Sequence, residues 1–352
     1  MPKFFRALAL ALAAALALAG CAELKSLDEL TVRARVGVLA APQLSWAAKS
    51  PALRKALERF RAEKADAVII IGELTAGGAE TQYAELARLW RATMSARVKL
   101  VLVRGPEEDR AWRDAFAAPF PDGTLILPPA GGEFEIEGRH FGAGYFKKWD
   151  NKKALPWFYG QGRYALTDEI GAPQRTLGNF YAGSMSGITI PDDFDRLKGL
   201  DSVAQGLLVK AYPDETVALR LDFSTGEEVA APWRLTPDST AVAAAETAAP
   251  QFWDDASLIV IRGTANDGHA LWTLKFPPVL ARHTGVRAFY YEIAVDGIGV
   301  VRRVLPPGFW LSEDRAQQAL SLTLDSRELP DDPHFSVTPI SSLGVRGRAL
   351  RK

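Results

Sequence analysis

The chain has 352 residues, 48% hydrophobic and 24% charged, and its 42 Lys and Arg balance its 42 Asp and Glu. That is a globular composition, and the length suits about two domains. Balanced charge argues against the net basic face that a nucleic-acid partner requires, so no DNA or RNA partner is expected.

The N-terminus reads as a targeting segment. "MPKFFR" is a short basic stretch, and "ALALALAAALALAG" is an apolar run too short to span a membrane. The run ends at Cys21, the only cysteine of the chain. Leu18-Ala19-Gly20-Cys21 resembles the bacterial lipobox, where cleavage precedes a cysteine that is then lipidated. The alternative is a plain signal peptide with an incidental cysteine. Each buried CH₂ of an acyl chain contributes about 0.8 kcal/mol, so a multiply acylated Cys21 would anchor the protein stably to a membrane. By the same resemblance, Ala22 in place of aspartate favours the outer membrane over the inner. One cysteine also leaves no internal disulfide, so the exported part must be held by its core.

Three apolar runs follow, alternating with helical patterns. "RVGVLA" (residues 35–40) precedes a helix over residues 50–64, with Ser50 as N-cap and Pro51 at the first helical position. "DAVIII" (66–71) precedes an amphipathic helix over 80–94, and "VKLVLV" (98–103) precedes a short helix in "EEDRAWRDAF". The alternation predicts a βαβαβ start with a parallel sheet. Parallel strands place their C-terminal ends on one edge, where ligands of open α/β sheets bind. The loops "AAPQLSW", "GELTAGG" and "RGPEED" are therefore expected to face one another.

Beyond Gly123 the pattern turns to β, through "TLILP", "EFEIEG", "RHFGAGYF" and "FYAGSMSGITI". "GLLVKAYPDETVALRLDF" reads as a hairpin with "PDE" at its turn. An Ala/Thr/Pro-rich stretch over 236–250 reads as a linker. The short strands after it predict an all-β sandwich over 251–352. The expected division is a signal peptide (1–21), an α/β domain (22–235), the linker and the sandwich.

At the three loops the chain resembles the calcineurin-like metallophosphoesterases, whose members carry D-x-H, G-D-x-x-D, G-N-H-[DE] and a later G-H-x-H. The resemblance implies an α/β sandwich of mixed sheets, with two metal ions that clamp a phosphate and activate a water. Here Ala41 and Gln43 stand at the first pair of ligand positions, and Glu73 and Ala76 at the second. Pro106 and Glu107 stand at the third. The late motif is the most specific: "FYGQGRYALTDE" (158–169) resembles G-H-x-H followed by Y-x-L-T-D-E, with Gln161 and Arg163 at the histidine positions. "FYAGSMSGI" (180–188) is similar to the strand that follows in one branch, and "HFSVTPISSLGVRGRAL" to the end of a fibronectin-type module that some relatives carry.

The replacements are poor metal ligands. Alanine has no donor atom, amides are neutral, and Arg163 places a fixed positive charge where a dication would sit. The chain has four histidines, and only His140 precedes the linker, in a predicted strand. One alternative is a hard-cation site of Glu73, Glu107 and Glu108 helped by Gln43, since oxygen ligands suit Mg or Ca. The competing view of "PEED" is a solvated first helical turn. Arg163 is also a candidate ion-pair partner of Glu73 or Glu107. Asp168 and Glu169 are expected to serve a turn or a structural hydrogen bond. Ser184 lacks the G-x-S-x-G spacing of a nucleophile elbow. Trp46, Trp149, Trp157, Phe158 and Tyr159 are candidates for stacking a ring-bearing ligand.

The expectation is a catalytically degenerate, lipid-anchored envelope protein that binds or scaffolds an unidentified protein or small molecule, with no resident cofactor and no catalytic residue. The alternative is a metal-dependent phosphoesterase with an atypical glutamate site that uses divalent ions.

Overall fold

A computed structural model describes residues 32–43, 51–75, 80–106, 108, 119–148, 155–162, 164–169, 172, 178–190, 192–194, 198–236, 248–315, 319–325, 327 and 329–352. The predicted leader, Cys21, Ser50 and most of the predicted helix after "VKLVLV" lie outside them.

The first strands are β1 (Ala34–Ala40), β2 (Ala67–Ile71), β3 (Lys99–Val103) and β4 (Leu125–Leu127), which pair in parallel in that order. Helix α1 (Pro51–Ala62) follows β1 and α2 (Glu80–Thr93) follows β2. Leu53, Leu57 and Phe60 fall at i, i+4 and i+7 of α1, so one face of the helix is apolar and fully buried. It packs with α2 against Leu39, Val68, Ile70 and Leu102.

The alternate residues of the same strands face the other way, as a period of two requires. Val36, Val38, Ile69, Ile71 and Val103 pack against a second sheet. That sheet is β5 (Gly132–Ile136), β6 (Arg139–Gly144), β7 (Trp157–Tyr159) and β8 (Asn179–Tyr181), in chain order. Phe141, Phe158 and Phe180 are part of its core contribution, with successive rings tilted against one another at 6.2 and 5.5 Å between centroids. Burial on both faces is why β1, β2 and β3 read as nearly unbroken apolar runs.

Three antiparallel strands complete the large sheet: β9 (Gln205–Ala211), β10 (Thr216–Asp222) and β11 (Glu227–Leu235). The order is β11-β10-β9-β1-β2-β3-β4, with β9 antiparallel to β1. The predicted hairpin is β9–β10. Sequence analysis did not pick out β11, whose Pro232 argues against a central strand; β11 lies at the sheet edge, where a missing N–H is tolerated. "FYAGSMSGITI" also differs from expectation. Only Asn179–Tyr181 is strand, and residues 182–190 run as irregular chain.

The C-terminal part is two facing sheets. β12 (Ile259–Thr264) and β13 (Ala270–Phe276) come first, then the one-turn α3 (Ala281–Thr284), β14 (Tyr290–Val295), β15 (Gly299–Val304), β16 (Leu320–Asp325), β17 (Phe335–Ile340) and β18 (Leu350–Arg351). They pair as β12-β13-β16 and β15-β14-β17-β18. Leu274, Phe276, Leu320 and Leu324 of one sheet bury against Tyr291, Ile293, Phe335 and Val337 of the other. This is a seven-stranded β-sandwich.

The two parts are in direct contact. Ala165, Ile188, Leu200 and Val203 share an apolar cluster with Leu305 and Phe309. Gln205, fully buried, accepts the N–H of Leu166 at 2.7 Å and donates to the carbonyl of Trp310 at 2.8 Å. Thr167 donates to the carbonyl of Phe309 at 2.9 Å, and Arg315 makes a two-pronged pair with Glu227 at 2.6 Å.

Candidate functional site

The C-terminal ends of β1 and β2 end in chain that bends sharply. Ala41, Gln43 and Glu73 all lie at positive φ (48°, 41° and 42°), a region costly for residues with a Cβ. Backbone hydrogen bonds hold the bend, from Ala41 N–H to Ile71 O at 3.0 Å and from Gln43 N–H to Glu73 O at 2.9 Å. Gly72 is required here twice over. Its φ is 55°, and a Cβ would sit 2.3 Å from the Tyr145 ring. The loops after β1 and β2 are thus brought together as the parallel pairing predicts.

Glu73 is the chemical centre of this edge. One of its oxygens accepts Gln43 Nε2 at 2.6 Å, and the other accepts the Tyr145 hydroxyl at 3.2 Å. Tyr145 follows β6, and its backbone carbonyl accepts the N–H of Gln161 at 2.8 Å. Around them lies an open cleft of about 450 Å³, lined by Ala41, Glu73, Tyr145, Gly160, Gly162, Tyr164, Thr189 and Ile190. Gly160 lets β7 approach β2, since a Cβ there would lie 2.7 Å from Ile71 Cγ2.

Glu108 behaves differently from the solvated turn expected of "PEED". It is buried, and its two oxygens accept the N–H of Leu74 at 2.6 Å and of Gly105 at 2.7 Å. It therefore ties the loop after β2 to the loop after β3. Burial raises its pKa, and the amide hydrogen bonds only partly offset that effect. Pro106 is half-buried beside it, and Gln161 is exposed. Ala76, Glu107 and Arg163 lie outside the described residues, as do Trp46 and Trp149. The expected pairing of Arg163 with Glu73 or Glu107 lies there too.

The aromatic expectation needs correction. Phe158 is fully buried in the core, and Trp157 and Tyr159 are buried as well. Their strand is central, so none is free to stack a ligand. Tyr145 and Tyr164 reach the cleft instead, and Tyr164 is 42% exposed. Sequence analysis missed Tyr145, Thr189 and Ile190 as lining residues. The available signal was topological: β6, β7 and β8 are mutually parallel, so the chain after each emerges on one edge. Tyr181 braces the loop, donating to the carbonyl of Gly162 at 2.8 Å and accepting the N–H of Tyr164 at 3.1 Å. Burial pushes the Tyr181 and Tyr159 hydroxyls up, so both stay neutral.

Asp168 and Glu169 sit where the chain turns away from the cleft. Glu169 pairs with Arg220 at 2.7 Å and accepts Trp233 Nε1 at 2.9 Å. The Arg220 guanidinium, almost wholly buried, also donates to Leu166 O at 2.9 Å and Ala231 O at 2.7 Å, and lies 4.8 Å from the centre of the Trp233 ring. The Glu169 carboxylate serves the structure, and Asp168, buried, closes a turn through its N–H to Ala165 O at 2.9 Å. His140 is an exposed residue of β6, as expected, and Ser184 is buried.

The described donor set does not fit a pair of divalent ions. Among the described residues no cluster of three His, Cys, Asp or Glu side chains is placed to hold a metal. Ala41 offers no ligand atom, Glu73 is engaged by two hydrogen-bond donors, and both oxygens of Glu108 face main-chain amides.

No family model matches the chain, and no curated protein matches it. Solved structures do. A conserved uncharacterized protein from Streptococcus pneumoniae, described as a predicted phosphoesterase, is 11% identical over 58% of this chain and 97% of its own, at a TM-score of 0.33. Vacuolar Protein Sorting 29 from Cryptosporidium parvum is 14% identical over 58% and 99%, at 0.36. GAP50, described as the anchor in the inner membrane complex of Plasmodium, is 11% identical over 58% and 89%, at 0.34. Likeness of this degree carries no functional argument. Among the described residues the architecture is mixed α/β, with several sheets and few helices, plus a β-sandwich.

Proposed function

We propose that this chain is a lipid-anchored bacterial envelope protein whose phosphoesterase-like domain has lost its metal chemistry and acts by binding or scaffolding. The observation that carries the reading is the state of Glu73. At the position of one of the aspartates in the resembled family's G-D-x-x-D, Glu73 accepts an amide and a phenol from the same edge. Those contacts satisfy a carboxylate without a cation. Ala41 beside it adds no donor atom, and a two-metal mechanism needs several ligands on each ion.

The glutamate-based alternative draws no support from Glu108, whose oxygens hold the loops together rather than facing the cleft. The envelope location rests on the lipobox-like Leu18-Ala19-Gly20-Cys21, with outer membrane favoured by Ala22. The binding role rests on the cleft, whose volume falls in the range of roughly 300–1,000 Å³ typical of ligand sites.

The test is hydrolysis of a chromogenic phosphodiester by the full chain across Mg, Ca, Mn, Zn and Fe(II). The expected result is no turnover above that of a Glu73→Ala variant with any ion. Metal-dependent turnover lost in Glu73→Ala would overturn the reading. Membrane fractionation of Cys21→Ser tests the anchor, with release into the soluble fraction expected.

A further inference from the structure

We propose that the sandwich carries one wall of the cleft, so that a shift of the sandwich against the α/β domain changes the width of the cleft. The two walls are held by different bodies. Ala41, Glu73 and Tyr145 follow β1, β2 and β6 directly, and the bonds from Gln43 and Tyr145 to Glu73 lock them together. Thr189 and Ile190 line the other wall, on irregular chain outside every strand.

That chain leaves the α/β domain at a defined point. Met185 N–H donates to Ala40 O at 3.0 Å, and Ile188 N–H donates to Leu200 O at 3.1 Å. Beyond Ile188, among the described residues, no hydrogen bond ties Thr189, Ile190 or Phe194 to the α/β domain. Their anchors are on the sandwich side. Phe194 meets Tyr290 of β14 edge to face, with ring centroids 5.2 Å apart. Asp193 pairs with Arg303 of β15, a half-exposed pair that adds little by itself. Ile190 packs against the apolar cluster that holds Leu305 and Phe309. One side chain therefore belongs to the cleft and to the joint together, whereas in residues 160–169 the two roles fall to different residues.

The joint is of a kind that permits movement. Its apolar cluster is small, and the ion pairs Asp193–Arg303 and Glu227–Arg315 across it are partly exposed. Contacts between domains of one chain allow relative motion by default unless they are large and hydrophobic. A displaced sandwich draws Phe194 and Ile190 with it, while Glu73 stays on the strand ends of the large sheet. The linkage is reciprocal: a ligand that fills the cleft restrains the sandwich, and a partner that holds the sandwich sets the cleft. The inference holds for any ligand, and its failure would leave the metal-free binding role proposed above standing.

The experiment measures distances between paired spin labels on the full chain in a Cys21→Ser background, where introduced cysteines are the only ones. Phe146→Cys with Thr189→Cys places labels at two exposed positions across the cleft. Phe146→Cys with Glu80→Cys keeps both labels within the α/β domain. Two substitutions then disturb the sandwich side: Phe309→Ala removes a buried ring of the cluster, and Tyr290→Ala removes the ring against Phe194. Tyr290 is only partly buried, so that variant keeps the test available if Phe309→Ala does not fold. The distance across the cleft is expected to shift or broaden, more in Phe309→Ala than in Tyr290→Ala, with the distance inside the α/β domain unchanged. The proposal is overturned if the cleft distance stays the same in every variant that folds. It is also overturned if the distance inside the α/β domain broadens as much, since the wall would then move with that domain.

Discussion

Residues 160–169 form one short segment with two contrasting ends. Gly160, Gly162 and Tyr164 face an open cleft, and Tyr164 is 42% exposed. Leu166, Thr167 and Glu169, a few residues on, are tied to Gln205, Arg220, Trp233 and Phe309 by hydrogen bonds of 2.7 to 2.9 Å. Its two ends serve different roles. The second half welds the α/β domain to the sandwich. The first half contributes Gly160, Gly162 and Tyr164 to the wall of the cleft. Neighbouring residues of one segment can therefore serve an open surface and a packed joint separately.

That contrast can be broken by substitution. The largest effect belongs to the welded half. Arg220→Ala removes a buried cation from Leu166, Glu169 and Ala231, and the stability loss in urea melts is expected at about 3 kcal/mol, toward the lower end because Glu169 is partly exposed. Next is Glu108→Ala, which leaves the amides of Leu74 and Gly105 without their acceptor and should cost about 2–3 kcal/mol.

Glu108 also gives a pH signature. Its folded pKa is raised, so the native state binds the proton more tightly than the unfolded chain. Its contribution to stability is present below the ordinary carboxylate range and is lost as pH rises through the elevated value. Glu108→Gln should flatten that part of the stability–pH curve; an unchanged slope would locate the titration elsewhere.

Gln205→Ala comes third. It removes a side chain that bonds both domains, and about 2 kcal/mol of destabilisation is expected, together with loss of a single coincident transition when the domains are followed by separate probes. The smallest effect belongs to the open half. Tyr164→Ala should change stability by no more than about 0.5 kcal/mol, because it removes an exposed ring. A large loss there would mean that the cleft side is structural as well, and the contrast would collapse.

Much of this was legible in the residues. Unbroken apolar runs separated by amphipathic helices specify a parallel sheet covered on both faces, and β1 to β3 formed as that pattern requires. Ala41, Gln43 and Glu73 converged because parallel strands share an edge. Other features were hidden for physical reasons. β11 carries a proline that only an edge position excuses, and edge position is a property of the whole sheet. The roles of Tyr145 and Glu108 depend on contacts across 72 and 34 residues of chain, which no local pattern encodes. Trp157, Phe158 and Tyr159 looked like a ligand platform because aromatic composition does not distinguish a core strand from a cleft wall.

The most direct measurement of the central claim is metal content of the purified full chain after dialysis against Mn and Zn, counted per polypeptide. The account predicts far less than one ion per chain, with Glu73→Ala no different from wild type. Two ions per chain, reduced by Glu73→Ala, would contradict it.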